Sequence, residues 1–237
     1  MKKTLSISIV LNILLLAFIA YSSYQNKMDV DKIKQKARLT TLREIFTNYH
    51  KAKKSIFEVM PNDSNEIIFV GNSITDYCDW NELLGNANIK NRGISADVIS
   101  GVVDRLDEIT ESKPKKIFLM IGINDLQRKR SVNQILADYE NLILLIKEKT
   151  PQTNLYIQSL LPTKRDNLSN SDVMEINTGL ILLSQKFNLI YINLFDLFKT
   201  ENNQMNMDYS FEGLHPNGKG YLVWKTAIDN YVNEPLK

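Results

Sequence analysis

Cysteine is nearly absent. The 237 residues contain one, Cys78, which excludes an internal disulfide framework and a multi-cysteine zinc site. Histidine is almost as scarce, with His50 and His215 only. A three-histidine metal centre is therefore impossible, and histidine-based catalysis has at most two candidates. Glycine (9) and proline (6) are too few for a collagen-like or low-complexity chain. The 43% hydrophobic content argues against disorder, and the length suits one good-sized core better than two full domains. A general nucleic-acid-binding surface is not expected either. The net charge is +2, but residues 1–60 hold 11 Lys/Arg against 4 Asp/Glu, leaving 18 against 23 in residues 61–237. The larger part is mildly acidic.

What is there begins with the basic N-terminus. Met1-Lys2-Lys3 precedes an uncharged stretch from Thr4 to Asn26, apolar at its centre from Ile7 to Ala20. A basic start followed by an apolar run is the pattern of an export signal, and Ala20-Tyr21-Ser22 offers small residues at the positions a signal peptidase reads. The stretch is also long enough to span a bilayer as a helix. Both a cleaved signal and an uncleaved membrane anchor fit, and the balance leans to the anchor. Lys2 and Lys3 favour a cytoplasmic N-terminus, which puts residues 27–237 outside the cytoplasm. The Lys-, Asn- and Ile-rich composition points to a bacterial source.

Residues 28–60 read as a charged helical stalk, with Leu39, Leu42, Phe46, Tyr49 and Ala52 at 3–4 spacing. His50 lies here and reads as an ordinary stalk or surface histidine. Pro61-Asn62-Asp63-Ser64 is turn-forming and marks the start of a globular domain over 61–237, after segments 1–27 and 28–60.

Beyond residue 64 short apolar runs alternate with helical segments. The runs are Ile67–Val70, Ile89–Asn91, Ile117–Ile121, Leu155–Gln158 and Leu189–Ile192. Helices are expected near 98–109, 131–149, 171–187 and 219–232, with Ser131 and Ser171 as N-caps. The alternation predicts an α/β fold, a five-stranded parallel sheet with helices on both faces. Ligands of such sheets bind at the carboxyl ends of the strands, so the loops after the runs are where chemistry belongs.

Four loops carry candidates. Gly71-Asn72-Ser73-Ile74-Thr75-Asp76 puts a serine just past a strand, at the start of a helix whose N–H groups are free. Alone, Ser73 reads more readily as a simple N-cap than as a nucleophile. Asn91-Arg92-Gly93-Ile94-Ser95 and Gly122-Ile123-Asn124-Asp125 are, alone, turn and cap sequences. In Phe211-Glu212-Gly213-Leu214-His215-Pro216-Asn217 an acid three residues before a histidine can fold back onto the imidazole. Together the loops hold what acyl transfer needs: nucleophile, base, orienting acid and oxyanion donors.

Other readings fail on particular residues. Thr75 breaks the G-x-S-x-G elbow. Gly213 to Lys219 begins a P-loop pattern, but Gly220 stands where Ser or Thr is required. Arg128-Lys129-Arg130 reads as a solvated helix start, Cys78 as a packing residue, and Asp76, Asp97 and Asp125 as helix-start and turn supports.

This constellation resembles the SGNH hydrolases, or GDSL-type esterases, over roughly residues 65–232. Gly71-Asn72-Ser73 is similar to the block that holds the nucleophile, Gly93 to the second-block glycine, Gly122-Ile123-Asn124-Asp125 to the G-x-N-D block, and Glu212-Gly213-Leu214-His215 to D-x-x-H with Glu in place of Asp. Asn91-Arg92-Gly93-Ile94 and His215-Pro216-Asn217-Gly218 point to the branch of platelet-activating-factor acetylhydrolase-like and carbohydrate acetylesterases. The resemblance implies a flavodoxin-like three-layer α/β/α sandwich. It implies Ser73, His215 and Glu212 as catalytic residues, and Ser73, Gly93 and Asn124 as the oxyanion hole. It implies a small-molecule or glycan acyl ester as substrate and no metal or organic cofactor. Tyr77 and Ala96 stand where this branch often has glycine. The extra methylene of Glu212 needs a loop shift, failing which Ser73 and His215 act as a dyad. An O-acyltransferase on the same site and an inactive glycan-binding relative are the alternatives.

Overall fold

The structure, a computed structural model, describes residues 2–233. Helix α1 runs over Lys2–Glu58. Then follow β1 (Ile67–Gly71), α2 (Ser73–Asp76), α3 (Trp80–Leu84), β2 (Ile89–Gly93), α4 (Ile99–Asp104) and α5 (Leu106–Thr110). The second half contains β3 (Lys116–Met120), α6 (Ile123–Gln127), α7 (Val132–Lys149), β4 (Asn154–Gln158), α8 (Asn170–Phe187), β5 (Ile190–Ile192), α9 (Phe195–Phe198) and α10 (Gly218–Asn233).

The chain divides into two compact units, residues 1–48 and residues 49–237. The first is helical, with Thr40 and Thr41 hydroxyls donating to the carbonyls of Lys36 and Ala37. The expected export signal or anchor falls largely on side chains outside the described ones. Among the described residues no helix is long and apolar enough to cross a membrane. The second unit includes the last turns of α1, from Tyr49.

All five strands are parallel, in the order β2-β1-β3-β4-β5. The apolar side chains of β1 to β4 are buried because helices cover both sheet faces, while Ile190 of the edge strand β5 is exposed. On one face the register places Phe69 beside Phe118 and Phe118 beside Tyr156. These rings stack at 4.8 and 4.5 Å. Trp80 of α3 extends the stack at 4.5 Å from Phe69, and Trp224 of α10 meets Trp80 edge-on at 4.8 Å. Such pairs add about 1 kcal/mol each beyond burial. The order reverses between β1 and β3, which opens a crevice at the carboxyl ends of those strands.

Local sequence explains most element ends, with corrections. Ser131 caps α7 in a full capping box with Gln134. The cap of α8 is Ser169, whose hydroxyl accepts from Asp172 N–H; Ser171, the expected cap, lies inside the helix. The helix expected near 98–109 is broken at Arg105, which leaves helical geometry at φ −121° and ψ 20°. Its buried guanidinium turns inward, where Nε donates to Asp97, Nη1 to Glu108 and Nη2 to the Arg92 carbonyl at 3.0, 2.9 and 2.8 Å.

Candidate active site

The turn from β1 into α2 sets the serine. A Cβ on Gly71 would lie 2.2 Å from Thr75 Oγ1 and 2.5 Å from the Met120 carbonyl, so only glycine lets strand and helix close so tightly. Asn72 is the N-cap, its side-chain oxygen accepting from Ile74 N–H at 2.9 Å. Ser73 is therefore the first helical residue, and its own N–H has no acceptor among the described residues.

His215 arrives from the far end of the chain. Its Nε2 lies 2.8 Å from Ser73 Oγ. The loop that delivers it is stapled: Ser210 Oγ accepts from Gly213 N–H at 2.9 Å, and the Gly213 carbonyl accepts from Thr163 Oγ1 at 3.1 Å and Lys164 N–H at 2.7 Å. Gly213 sits at φ 81°, a conformation that favours glycine. Within this loop Glu212 folds back. Its Oε1 lies 2.6 Å from His215 Nδ1 and accepts from His215 N–H at 2.7 Å, while Oε2 pairs with Arg165. Ser73, His215 and Glu212 thus form one continuous hydrogen-bonded line. The longer acid does not point away. Burial, and then the Arg165 charge, hold the imidazole below its usual range. The half-exposed Tyr77 ring leans on the imidazole, 5.0 Å between centroids.

The loops after β2 and β3 carry the donors. Asn124 Nδ2 donates to the Asp97 carbonyl at 2.8 Å, and its second amide hydrogen has no acceptor among the described residues. Gly93 departs from expectation. Its N–H donates to Asn91 Oδ1 at 2.7 Å and is therefore engaged. Glycine is needed there for another reason: a Cβ would lie 2.3 Å from Asp76 N, in the backbone of α2. In this loop the N–H without an acceptor among the described residues is that of Ala96, at φ 65°. The turn around Ala96 is held on every other side. Ser95 N–H and hydroxyl donate to Asp76, Arg128 donates to the Ala96 carbonyl at 2.8 Å, and Asp97 N–H donates to the Ile94 carbonyl at 3.1 Å. A non-glycine residue persists in the left-handed region where its surroundings over-determine it.

Several residues have roles the sequence did not disclose. Asp76 and Asp97 support the turn around Ala96, Asp97 also accepting from Val98 N–H at the start of α4 at 3.0 Å, while Arg128 serves that turn from the end of α6 rather than a helix start. Nothing in the sequence marked Arg165. Cys78 is buried, which pushes its thiol up to about 12, as suits a packing residue. Among the described residues no group of three or more His, Cys, Asp or Glu side chains is arranged to hold a metal ion.

The GDSL-like lipase/acylhydrolase family pattern matches residues 69–223. Among solved structures, a candidate platelet activating factor from Streptococcus pneumonia is 24% identical, covering 82% of this chain and 97% of its own at a TM-score of 0.75. A GDSL-like lipase from Bacteroides thetaiotaomicron is 18% identical, with 79% and 98% covered and a TM-score of 0.68. An acetyl-xylooligosaccharide esterase mutant from Geobacillus Stearmophilus is 15% identical, with 73% and 96% covered and a TM-score of 0.61. A curated relative, N-acylneuraminate cytidylyltransferase of Escherichia coli, is 22% identical over 80% of this chain, which spans 45% of that protein's length. With the family pattern running from β1 into α10, the chain belongs to the GDSL-like lipase/acylhydrolase family.

Proposed function

We propose that this protein is a serine esterase that removes short acyl groups, O-acetyl above all, from carbohydrate esters. The observation that carries the reading is the line from Ser73 Oγ through His215 to Glu212, at 2.8 and 2.6 Å. His215 Nε2 takes the Ser73 hydroxyl proton as Oγ bonds to the ester carbonyl carbon. Glu212 holds the Nδ1–H tautomer and stabilises the imidazolium. The oxyanion is met by the Ser73 and Ala96 N–H groups and the Asn124 amide, each with a hydrogen that finds no acceptor among the described residues. The C–O bond of the ester then breaks, and His215 returns the proton to the departing alcohol. Water, deprotonated by His215, attacks the acyl-serine and releases the acid. The acetyl-xylooligosaccharide esterase among the structural relatives supports an acetylated sugar as substrate. The exposed Tyr77 face beside His215 suits a sugar ring at the mouth. The Lys2-Lys3 start and apolar run support an extracytoplasmic location, tested by fractionating cells that express the tagged chain.

The experiment is hydrolysis of aryl acetate and acetylated xylo-oligosaccharide by wild type, Ser73→Ala and His215→Ala, with a fluorophosphonate label on Ser73. Each variant is expected to lose on the order of 10³-fold or more in kcat. No turnover and no labelling of the wild type sinks the reading. Turnover of aryl acetate without the sugar ester sinks only its substrate part.

A further inference from the structure

The end of α1 is built into this site. Asp76 Oδ2 accepts from the Tyr49 hydroxyl at 2.6 Å as well as from Ser95 N–H and Oγ at 3.0 and 2.8 Å. Asp76 Oδ1 pairs with Lys53 Nζ at 2.9 Å. One helical turn earlier, His50 Nε2 lies 3.2 Å from Asp97 Oδ1, while Asp97 Oδ2 is held by Arg105 and the Asp97 carbonyl receives the Asn124 amide. The helix therefore grips both aspartates that flank the Ala96 turn. Gly101 gives independent support. A Cβ there would stand 1.9 Å from Asp97 Oδ1 and 3.5 Å from His50 Nε2. A glycine inside a helix costs about 1 kcal/mol relative to alanine, and here it clears the space in which Asp97 meets His50.

We propose that Tyr49, His50 and Lys53 are positioning residues of the esterase site, holding the Ser95–Asp97 turn and, through Asp97, the Asn124 amide where the oxyanion forms. The inference rests on the serine esterase reading. Without these contacts Asp76 keeps only Ser95 and Asp97 loses one of its side-chain anchors, so the left-handed Ala96 turn can relax. Donors aimed at the oxyanion act in the transition state, so their loss lowers kcat and leaves KM. His50, expected to be a stalk histidine without a role, thereby acts on the site through Asp97.

The test uses the full chain with His50→Leu, His50→Gln and the double variant Tyr49→Phe/Lys53→Met. On aryl acetate, His50→Leu and the double variant are expected to lose about tenfold in kcat with KM within about twofold. His50→Gln keeps an N–H for Asp97 and is expected to recover most of the rate. Fluorophosphonate should label Ser73 to the same extent in all of them. Unchanged kcat in an active series overturns the inference alone. So does a loss that His50→Gln shares fully, or one matched by fewer labelled molecules, which marks a purely structural role. A wild type that neither hydrolyses esters nor labels overturns the esterase reading and this inference with it.

Discussion

Glu212 Oε1 touches both the Nδ1 and the backbone N–H of His215, at 2.6 and 2.7 Å, so one carboxylate oxygen fixes the ring and the turn that presents it. Glu212→Gln keeps the volume and removes the charge. It is expected to lower kcat on aryl acetate by about 10²-fold or more, with stability little changed at this half-exposed position. A loss under threefold in that variant and in Glu212→Ala would instead establish a Ser73–His215 dyad.

Arg165 pairs with the other oxygen of Glu212 and depresses the His215 pKa after burial has done so. His215 works as a base only when neutral, so activity falls as pH drops through its pKa, and the depressed value keeps that limb acid of the usual histidine range. Arg165→Met removes one of the two depressing causes. The acid limb of kcat/KM is expected to move to higher pH, while the rate on the plateau changes less. A limb that stays put or moves down contradicts this assignment.

Asp125 is buried, and its carboxylate accepts from Ile99 N–H at 3.2 Å. Burial outweighs that bond and pushes its pKa up to about 6. A raised carboxyl pKa favours the folded state at low pH, below the unfolded value. That advantage disappears as pH rises through the window up to about 6, where the fold must carry the buried charge. Asp125→Asn keeps an acceptor and removes the titration. Its stability relative to wild type is expected to rise between pH 4 and 7, by roughly 1–3 kcal/mol, in urea unfolding at several pH values. A difference independent of pH would refute this.

Arg105 is fully buried between Asp97 and Glu108, and Glu108 also takes Arg92 Nε at 3.0 Å. Arg105→Met leaves two buried carboxylates with too few partners. The expected loss is about 3–5 kcal/mol by urea denaturation. It should also lower kcat, because Asp97 carries the carbonyl that orients Asn124.

Much of this was legible in the sequence because it depends on local pattern. Apolar runs spaced by helical segments have few ways to bury their faces, so the five-strand parallel sheet followed from periodicity. The strand-following loops and their order pointed to Ser73, Asn124, His215 and Glu212. What escaped was decided by loop conformation and by where the folded loops meet. Gly93 reads as an oxyanion donor until Asn91 is seen to take its N–H. Ala96 reads only as a position where the resembling branch often has glycine until its positive φ is known. Arg165 lies 47 positions before Glu212 and has no motif.

By itself, then, the sequence determined the fold class and put forward Ser73, His215 and Glu212 as the candidate site, with His215 one of two histidines. Local rules suffice for these: side-chain period, helix caps and turn residues act over a few positions. Only the tertiary structure decided which N–H groups remain unpaired, how Glu212 reaches the imidazole, and that Tyr49, His50 and Lys53 grip Asp76 and Asp97. The grip of α1 joins residues 23 to 47 positions apart. A hydrogen bond depends on where its donor and acceptor meet in space, which no local pattern encodes.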